Sequence, residues 1–213
     1  MGGAQARFYF VRSCMDKKEK NIIIYVNSLP LSAVKGIREY GEKEGYTFRL
    51  MLIRDSRAKV KASESDVDIV LDVDFSKPGK IATALMPYQD ELLAITCRSE
   101  SNIARFMKVI PHVPYLRTPS TESLAWATDK YEMRKRFYLF DKKHTPKFTR
   151  IKNNTKHERE RVAQKVGFPM IIKPASLAAS TLVSICYHEE ELEKTLRTTF
   201  RKVRAEYEKK NRL

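Results

Sequence analysis

The chain has 213 residues, of which 42% are hydrophobic and 31% charged, and its formal net charge is +15. These proportions are typical of a globular protein and exclude a disordered or collagen-like chain. No apolar run approaches the roughly 18 residues that a membrane-spanning helix requires. Two thirds of the net positive charge lies in residues 121–213, which suits a polyanionic ligand such as a nucleotide or a nucleic acid.

The cysteines and histidines do not indicate a metal site or a disulfide. Cys14, Cys97 and Cys186 are isolated and odd in number, so neither a disulfide framework nor a zinc motif is expected. The four histidines are widely separated and stand in no known ligand spacing, so we assign no metal ligand. Because the first residues also lack the apolar core of a signal peptide, we expect a cytoplasmic protein.

Residues 1–20 are expected to be a tail, and residues 21–115 an α/β domain. Short apolar runs alternate there with segments of helical periodicity, which is typical of a parallel, Rossmann-like sheet covered by helices. No GxGxxG motif occurs, so a dinucleotide site has no support. The strands are expected at residues 22–26, 48–53, 69–73 and 92–96.

A proline-rich segment, PHVPYLRTPS at residues 111–120, marks the expected domain boundary. Residues 121–140 then predict a single helix. One buried stripe of that helix carries Lys130 together with four apolar residues, Trp126, Met133, Phe137 and Phe140. Because an unpaired buried ammonium is costly, Lys130 must either bind an anion or extend its tip to water. The residues alone leave both possibilities open.

The stretch GFPMIIKPASLAASTLVSICYH, residues 167–188, predicts two strands joined by a loop of small residues. The first strand ends at Lys173, and Ser176 and Ser180 lie in the loop. A lysine in that position can hold its ammonium over the loop, and small side chains let backbone N–H groups approach a phosphate. The alternative is an ordinary hairpin whose lysine faces solvent.

A last helix is expected from about residue 189 to residue 209. It carries a basic stripe, Lys194, Arg197, Arg201 and Arg204. Such a stripe fits a solvated face, or a nucleic-acid groove if exposed aromatic rings accompany it.

Several segments together resemble ATP-grasp carboxylate–amine ligases. IIKPASLAASTLV is similar to the phosphate-loop hairpin of that family, and ATDKYEMRKRF to its Asp-Lys helix, which a threonine–proline pair follows, here Thr145–Pro146. HEEELEKTLRTTF resembles the helix after the hairpin. The resemblance covers roughly residues 22–213. The family loop is usually glycine-rich, whereas this loop uses alanine and serine.

The resemblance implies an architecture and a set of site residues. Residues 21–115 would be a Rossmann-like parallel-sheet pre-ATP-grasp domain. Residues 116–213 would be a linker helix and the first, α+β lobe of an ATP-grasp domain, containing the antiparallel hairpin. By the same resemblance Lys130 and Lys173 bind ATP phosphates, with weaker roles for Ser176 and Ser180, and the catalytic residues stay unassigned.

The resemblance also implies a function for a longer parent protein. The complete enzyme would use ATP and Mg²⁺ to activate a carboxylate as an acyl-phosphate and couple it to an amine. Because the magnesium ligands of the family lie in a C-terminal lobe that is absent here, this truncated chain is expected to bind ATP weakly and to be inactive. Its loop is then expected to be among the more mobile segments.

The alternative function is a non-catalytic nucleic-acid-binding protein that uses the basic second half. We favour the hypothesis of a ligase, whose partners are ATP and a small carboxylate and amine. That hypothesis expects neither a nucleic acid nor a membrane as partner, and it is compatible with a homodimer.

Overall fold

The computed structural model describes residues 19–57, 66–177 and 180–211. The expected tail and Cys14 lie outside the described residues, apart from Glu19 and Lys20. The first part of the chain forms a four-stranded sheet in the order β3-β2-β1-β4, and every neighbouring pair is parallel. The strands are β1 Ile22–Val26, β2 Arg49–Asp55, β3 Ile69–Val73 and β4 Leu92–Thr96. The predicted parallel sheet is therefore confirmed.

Among the residues that the structure describes, three α-helices and three short 3-10 helices accompany this sheet. The α-helices are α1 Leu31–Glu44, α2 Lys80–Leu85 and α3 Ile103–Val109. The 3-10 segments are Met86–Glu91, Glu100–Asn102 and Ile110–His112. Among the described residues, no helix combines the length and apolar character needed to cross a bilayer.

Each face of the sheet has its own apolar core. Ile22, Ile24 and Val26 of β1 point to the face that α2 and α3 cover, through residues such as Leu85 and Phe106. The opposite face, with Tyr25, Leu50 and Leu52, packs against Val34 of α1. Strands buried on both faces need continuous apolar sequence rather than alternation, which is why the run IIIYV predicts this strand so well.

The C-terminal end of α1 approaches the following loop closely at Gly41. A Cβ atom at this position would lie 2.6 Å from the backbone oxygen of Tyr46. The N–H of Tyr46 in turn donates to the oxygen of Gly41 at 2.8 Å. The chain therefore requires a glycine here to turn from α1 towards β2.

In the second part of the chain, the described residues form four helices and a hairpin. The helices are α4 Thr121–Thr128, α5 Lys130–Phe140, α6 Lys156–Val166 and α7 Glu189–Asn211. The hairpin consists of β5 Met170–Ile172 and β6 Ser184–Cys186, which pair antiparallel in a separate two-stranded sheet. The expected separate hairpin is confirmed, although its second strand is shorter than the apolar run.

The single helix expected over residues 121–140 is wrong. The helical path breaks at Asp129, which has extended backbone angles and separates α4 from α5. The carboxylate of Asp129 accepts hydrogen bonds from the N–H groups of Tyr131 at 2.8 Å and Glu132 at 3.1 Å. A side chain that satisfies these free donors starts a new helix, and this cap is what the apolar periodicity concealed.

The buried stripe expected on that helix is wrong for the same reason. Phe137 is 49% exposed and Phe140 is 93% exposed, and Trp126 on α4 is also exposed. The break at Asp129 removes the common helical frame in which Trp126 and the α5 residues would share one face. Lys130 is half-buried and therefore does not lie on a buried apolar stripe.

The hairpin packs by its inner face only. Met170 and Cys186 face each other across the two strands and are buried with Val162 of α6 and with Leu192 and Leu196 of α7. Side chains alternate between the faces of a strand, so Ile171 and Ile185 point outward. The hairpin therefore rests on α6 and α7 and exposes its other face.

A buried carboxylate fixes the segment that precedes α6. Glu158 accepts hydrogen bonds from Arg161 at 2.8 Å and from the backbone N–H of Lys152 at 3.0 Å. Arg161 also donates to the backbone oxygen of Arg150 at 2.7 Å. The hydrogen bonds from Arg161, and next that from Lys152, lower the pKa of Glu158 to about 2.

Replacing Gly41 by alanine should destabilise the protein. The new methyl group would clash with a backbone oxygen that cannot rotate away, and such overpacking costs about 1–3 kcal/mol. The matched control is Gly36→Ala in the same helix, since a Cβ at Gly36 meets no atom within 4 Å. That change should stabilise α1 by up to about 1 kcal/mol. Urea unfolding of both variants measures the difference, and equal effects would contradict the close approach at Gly41.

The pKa of Glu158 predicts a loss of stability in acid. A carboxyl group with a lowered folded-state pKa stabilises the protein above its unfolded value of 4.5. This contribution is lost as the pH falls from there to about 2. Urea unfolding as a function of pH should show a decrease over this window that is smaller in Glu158→Gln. An unchanged pH profile in the variant would show that Glu158 does not carry the effect.

Candidate functional site

Lys130 lies against the loop that follows β5. Its backbone N–H donates to the oxygen of Ala175 at 2.9 Å, and its ammonium donates to the oxygen of Leu177 at 2.6 Å. The residues are far apart in sequence, so these bonds join the start of α5 to the hairpin of the second sheet. The structure therefore brings Lys130 to the loop that the sequence assigns to phosphate binding.

Lys173 is the residue directly after β5, and it is exposed. It precedes Ala175 by two positions, so both lysines border the same short segment of backbone. Pro174, between them in the chain, is buried and anchors the segment. That the two ammonium groups face one common cleft stays a prediction.

The two serines assigned to the site lie on either side of a gap in the description. Ser176 and Ser180 are both exposed, and residues 178 and 179 between them lie outside the described residues. Ser180 and Leu182 have positive φ angles, 54° and 59°, which favour glycine or asparagine. The phosphate contacts expected of the serines stay a prediction.

Asp129 positions Lys130 at the first turn of α5. Besides capping that turn, its carboxylate accepts a hydrogen bond from the Arg150 guanidinium at 3.3 Å. Arg150 also lies over the ring of Tyr131, with its guanidinium carbon 4.6 Å from the ring centroid. These contacts fix the start of the helix, and hence the direction in which Lys130 leaves it.

The sequence interpretation missed an apolar surface beside Lys173. Ile171 is 60% exposed and Ile185 is 54% exposed, and they face each other across the two strands. Lys173 is the residue directly after β5, two positions beyond Ile171, and it is also exposed. The sequence shows that Ile171 and Ile185 are apolar. Only the pairing of the two strands shows that both side chains point outward.

Cationic side chains lie over aromatic rings along α5 and just beyond its end. Arg136 stacks on the ring of Trp126 with 3.8 Å from its guanidinium carbon to the ring centroid, and Lys142 lies 5.6 Å from the ring centroid of Tyr138. Among the described residues, no group of three or more histidine, cysteine, aspartate or glutamate side chains could hold a metal ion.

The described residues combine a four-stranded parallel sheet with a separate antiparallel hairpin. Residues 129–213 match a protein-family model described as the carbamoyl-phosphate synthase L chain, ATP-binding domain. This match begins at Asp129, the residue that caps α5, and includes both lysines. No curated protein matches the sequence.

Solved structures share this fold over most of the chain. The L-amino acid ligase from Bacillus licheniformis is 13% identical, has a TM-score of 0.58, and is matched over 86% of this chain and 43% of its own. The biotin carboxylase domain of 2-oxoglutarate carboxylase from Hydrogenobacter thermophilus, solved as a dimer with MgADP, ADP and bicarbonate, is 15% identical, with a TM-score of 0.54. It is matched over 84% of this chain and 40% of its own.

These findings confirm the resemblance to ATP-grasp ligases, in the sequence of residues 129–213 and in the fold of the described chain. The chain spans less than half the length of either solved structure. The domain limits 21–115 and 116–213 stay a prediction.

Removing the cap at Asp129 should disturb the start of α5 and with it the site. Asp129→Ala should lower the free energy of unfolding by about 1 kcal/mol, since two N–H groups lose their acceptor. Amide hydrogen exchange of Tyr131 and Glu132 should become faster, and Asp129→Asn should retain most of the protection. The matched control is Ser120→Ala, because Ser120 caps α4 by accepting from the N–H of Ser123. If Ser120→Ala accelerates the same amides as much as Asp129→Ala, the cap at Asp129 is not the cause.

Proposed function

We propose that this chain binds ATP through Lys130 and Lys173 and forms the ATP-binding front part of an ATP-grasp ligase. The observation that carries the proposal is the pair of hydrogen bonds from Lys130 to Ala175 and Leu177. They join the start of α5 to the loop that follows Lys173. Two cations from separate elements therefore border one short segment of backbone. A triphosphate needs such convergent positive charge, since phosphoryl transfer relies on positioning and electrostatic stabilisation.

The outward face of the hairpin suits the base of the nucleotide. Ile171 and Ile185 form an exposed apolar pair in the hairpin, and Lys173 directly follows its first strand. A flat purine laid on this pair would bury apolar area on both partners, while its phosphates extend towards the two lysines. The surface therefore has the chemistry of both halves of ATP, in the order in which the molecule presents them.

In the complete enzyme, the reaction would proceed by activation of a carboxylate. A carboxylate oxygen would attack the γ-phosphorus of ATP to form an acyl-phosphate, and ADP would leave. An amine would then attack the acyl carbon and release inorganic phosphate. Lys130 and Lys173 would hold the phosphate oxygens during this transfer, and the resemblance assigns the Mg²⁺ ligands to a second lobe. The carboxylate, the amine and a homodimer are likewise proposals.

One observation favours the alternative of single-stranded nucleic-acid binding. Aromatic rings on α5 that were expected to be buried, Phe137 and Phe140, are exposed, and Arg136 and Lys142 lie over the nearby rings of Trp126 and Tyr138. Exposed rings among cations are the usual platform for unpaired bases. Fluorescence anisotropy of a labelled RNA oligonucleotide at increasing salt tests this function. A steep loss of affinity with salt that depends on Phe140 would support it over the ATP proposal.

Calorimetry with ATP–Mg²⁺ should detect binding weaker than micromolar, because exposed charges are screened at physiological salt. Lys173→Met should weaken this binding about tenfold, the effect of losing one charge-assisted hydrogen bond. Ile171→Asp should weaken it further than Ile171→Ala, since a carboxylate would replace the apolar surface and repel the phosphates.

The matched control for net charge is Lys202→Met, which removes one exposed lysine from α7. Its ATP affinity should equal that of the unmodified protein. Equal losses in Lys202→Met and Lys173→Met would show that ATP responds only to overall charge. A phosphate-release assay should show no turnover, and sub-micromolar ATP binding or Lys173-dependent turnover would contradict the dependence on a second lobe.

A further inference from the structure

The short segment Ala175–Leu177, here called the loop base, is bound by Lys130 at both of its ends. The backbone N–H of Lys130 donates to the oxygen of Ala175 at 2.9 Å, and its ammonium donates to the oxygen of Leu177 at 2.6 Å. The side chain of Leu177 is only 4% exposed, and Pro174 immediately before the segment is buried. The loop base is thus docked on the protein through one residue of α5.

We propose that Lys130 is a positioning residue that holds the loop base in place before any nucleotide binds, a role that rests on the proposed ATP site. An ammonium has three N–H donors. After one of them bonds to the oxygen of Leu177, two remain for phosphate oxygens. The same atom therefore fixes the backbone beside Lys173 and contacts the phosphate chain, so the two cationic elements of the site are assembled in advance.

The loop that follows the loop base contains no glycine. No glycine follows Gly167 in the sequence. Ser180 and Leu182 nevertheless adopt positive φ angles of 54° and 59°, and non-glycine residues hold such angles only when their surroundings impose them. The charged hydrogen bond from Lys130 is a contact that imposes order at the start of the loop. We therefore expect the loop base to be ordered without nucleotide, in contrast to the mobile loop that the ligase resemblance implies.

Hydrogen exchange of the nucleotide-free protein tests this role. Lys130→Met removes only the ammonium contact, because the backbone bond from residue 130 to Ala175 does not depend on the side chain. It should accelerate exchange about tenfold at the amide of residue 130, whose acceptor is the oxygen of Ala175 in the loop base. Lys173→Met is the matched control, since Lys173 is exposed, and its exchange should equal that of the unmodified protein. Lys130→Arg should restore part of the protection, because a guanidinium also donates to a carbonyl.

The outcomes separate this inference from the proposed function. Unchanged exchange in Lys130→Met, or equal acceleration in Lys173→Met, overturns the positioning role whatever ATP does. A further outcome is that the unmodified protein binds neither ATP nor inorganic tripolyphosphate while Lys130→Met still accelerates exchange. In that case the ATP proposal fails, and the positioning role of Lys130 at the loop base is supported. Should Lys130→Met fail to fold by circular dichroism, Lys130→Gln, which is shorter and neutral, takes its place with the same expected acceleration.

Discussion

The carboxylate of Asp129 determines where the second part of this molecule begins. By accepting from the N–H groups of Tyr131 and Glu132, it ends the path of α4 and starts α5 in a new direction. An unsatisfied helix N-terminus leaves several donors without acceptors, and a single aspartate relieves this at the residue before Lys130. Lys130, which contacts Ala175 and Leu177, is the first residue of the helix that this cap begins.

The cap at Asp129 also connects α5 to the segment between α5 and α6. Arg150 donates to Asp129 and stacks on Tyr131, and the ring of Phe148 contacts Tyr131 with 5.7 Å between ring centroids. Next along the chain, Arg161 and Glu158 hold the backbone at Arg150 and Lys152. A continuous series of charged hydrogen bonds thus connects α5 to α6, and the hairpin packs on α6. The two lysines of the site reach the same loop because both of their elements are fixed by this series.

The sheet and the hairpin could be predicted from the sequence because buried strands appear as short runs of apolar residues. The bounds of β1, β3 and β4 agree with the apolar runs, and for β1 the reason is that a strand buried on both faces needs every residue to be apolar. The helix break could not be predicted in this way, because the apolar spacing across Asp129 happens to continue the helical period. Deciding between a helical aspartate and a cap requires knowing which N–H groups lack an acceptor, which is a property of the folded chain.

The residues of the site also differ in whether the sequence could predict them. Lys173 could be assigned because a lysine that ends a short strand before a small-residue loop is a local pattern, and Lys130 because of a family resemblance. The outward pair Ile171 and Ile185 could not, since either face of a two-stranded hairpin can be the buried one until its packing partners are known. Here Val162, Leu192 and Leu196 bury Met170 and Cys186, and this choice sends the isoleucines outward beside Lys173.

The same choice explains how so small a hairpin can carry a binding surface. A two-stranded sheet is marginal in water by itself, and this one has only three residues in each strand. Its inner residues contribute to the core formed by α6 and α7, and Lys130 holds its loop from the other side. Because stability is supplied by the helices, the outer residues of the hairpin are free to be apolar and exposed. A surface of this kind can be matched to a ligand without weakening the fold that presents it.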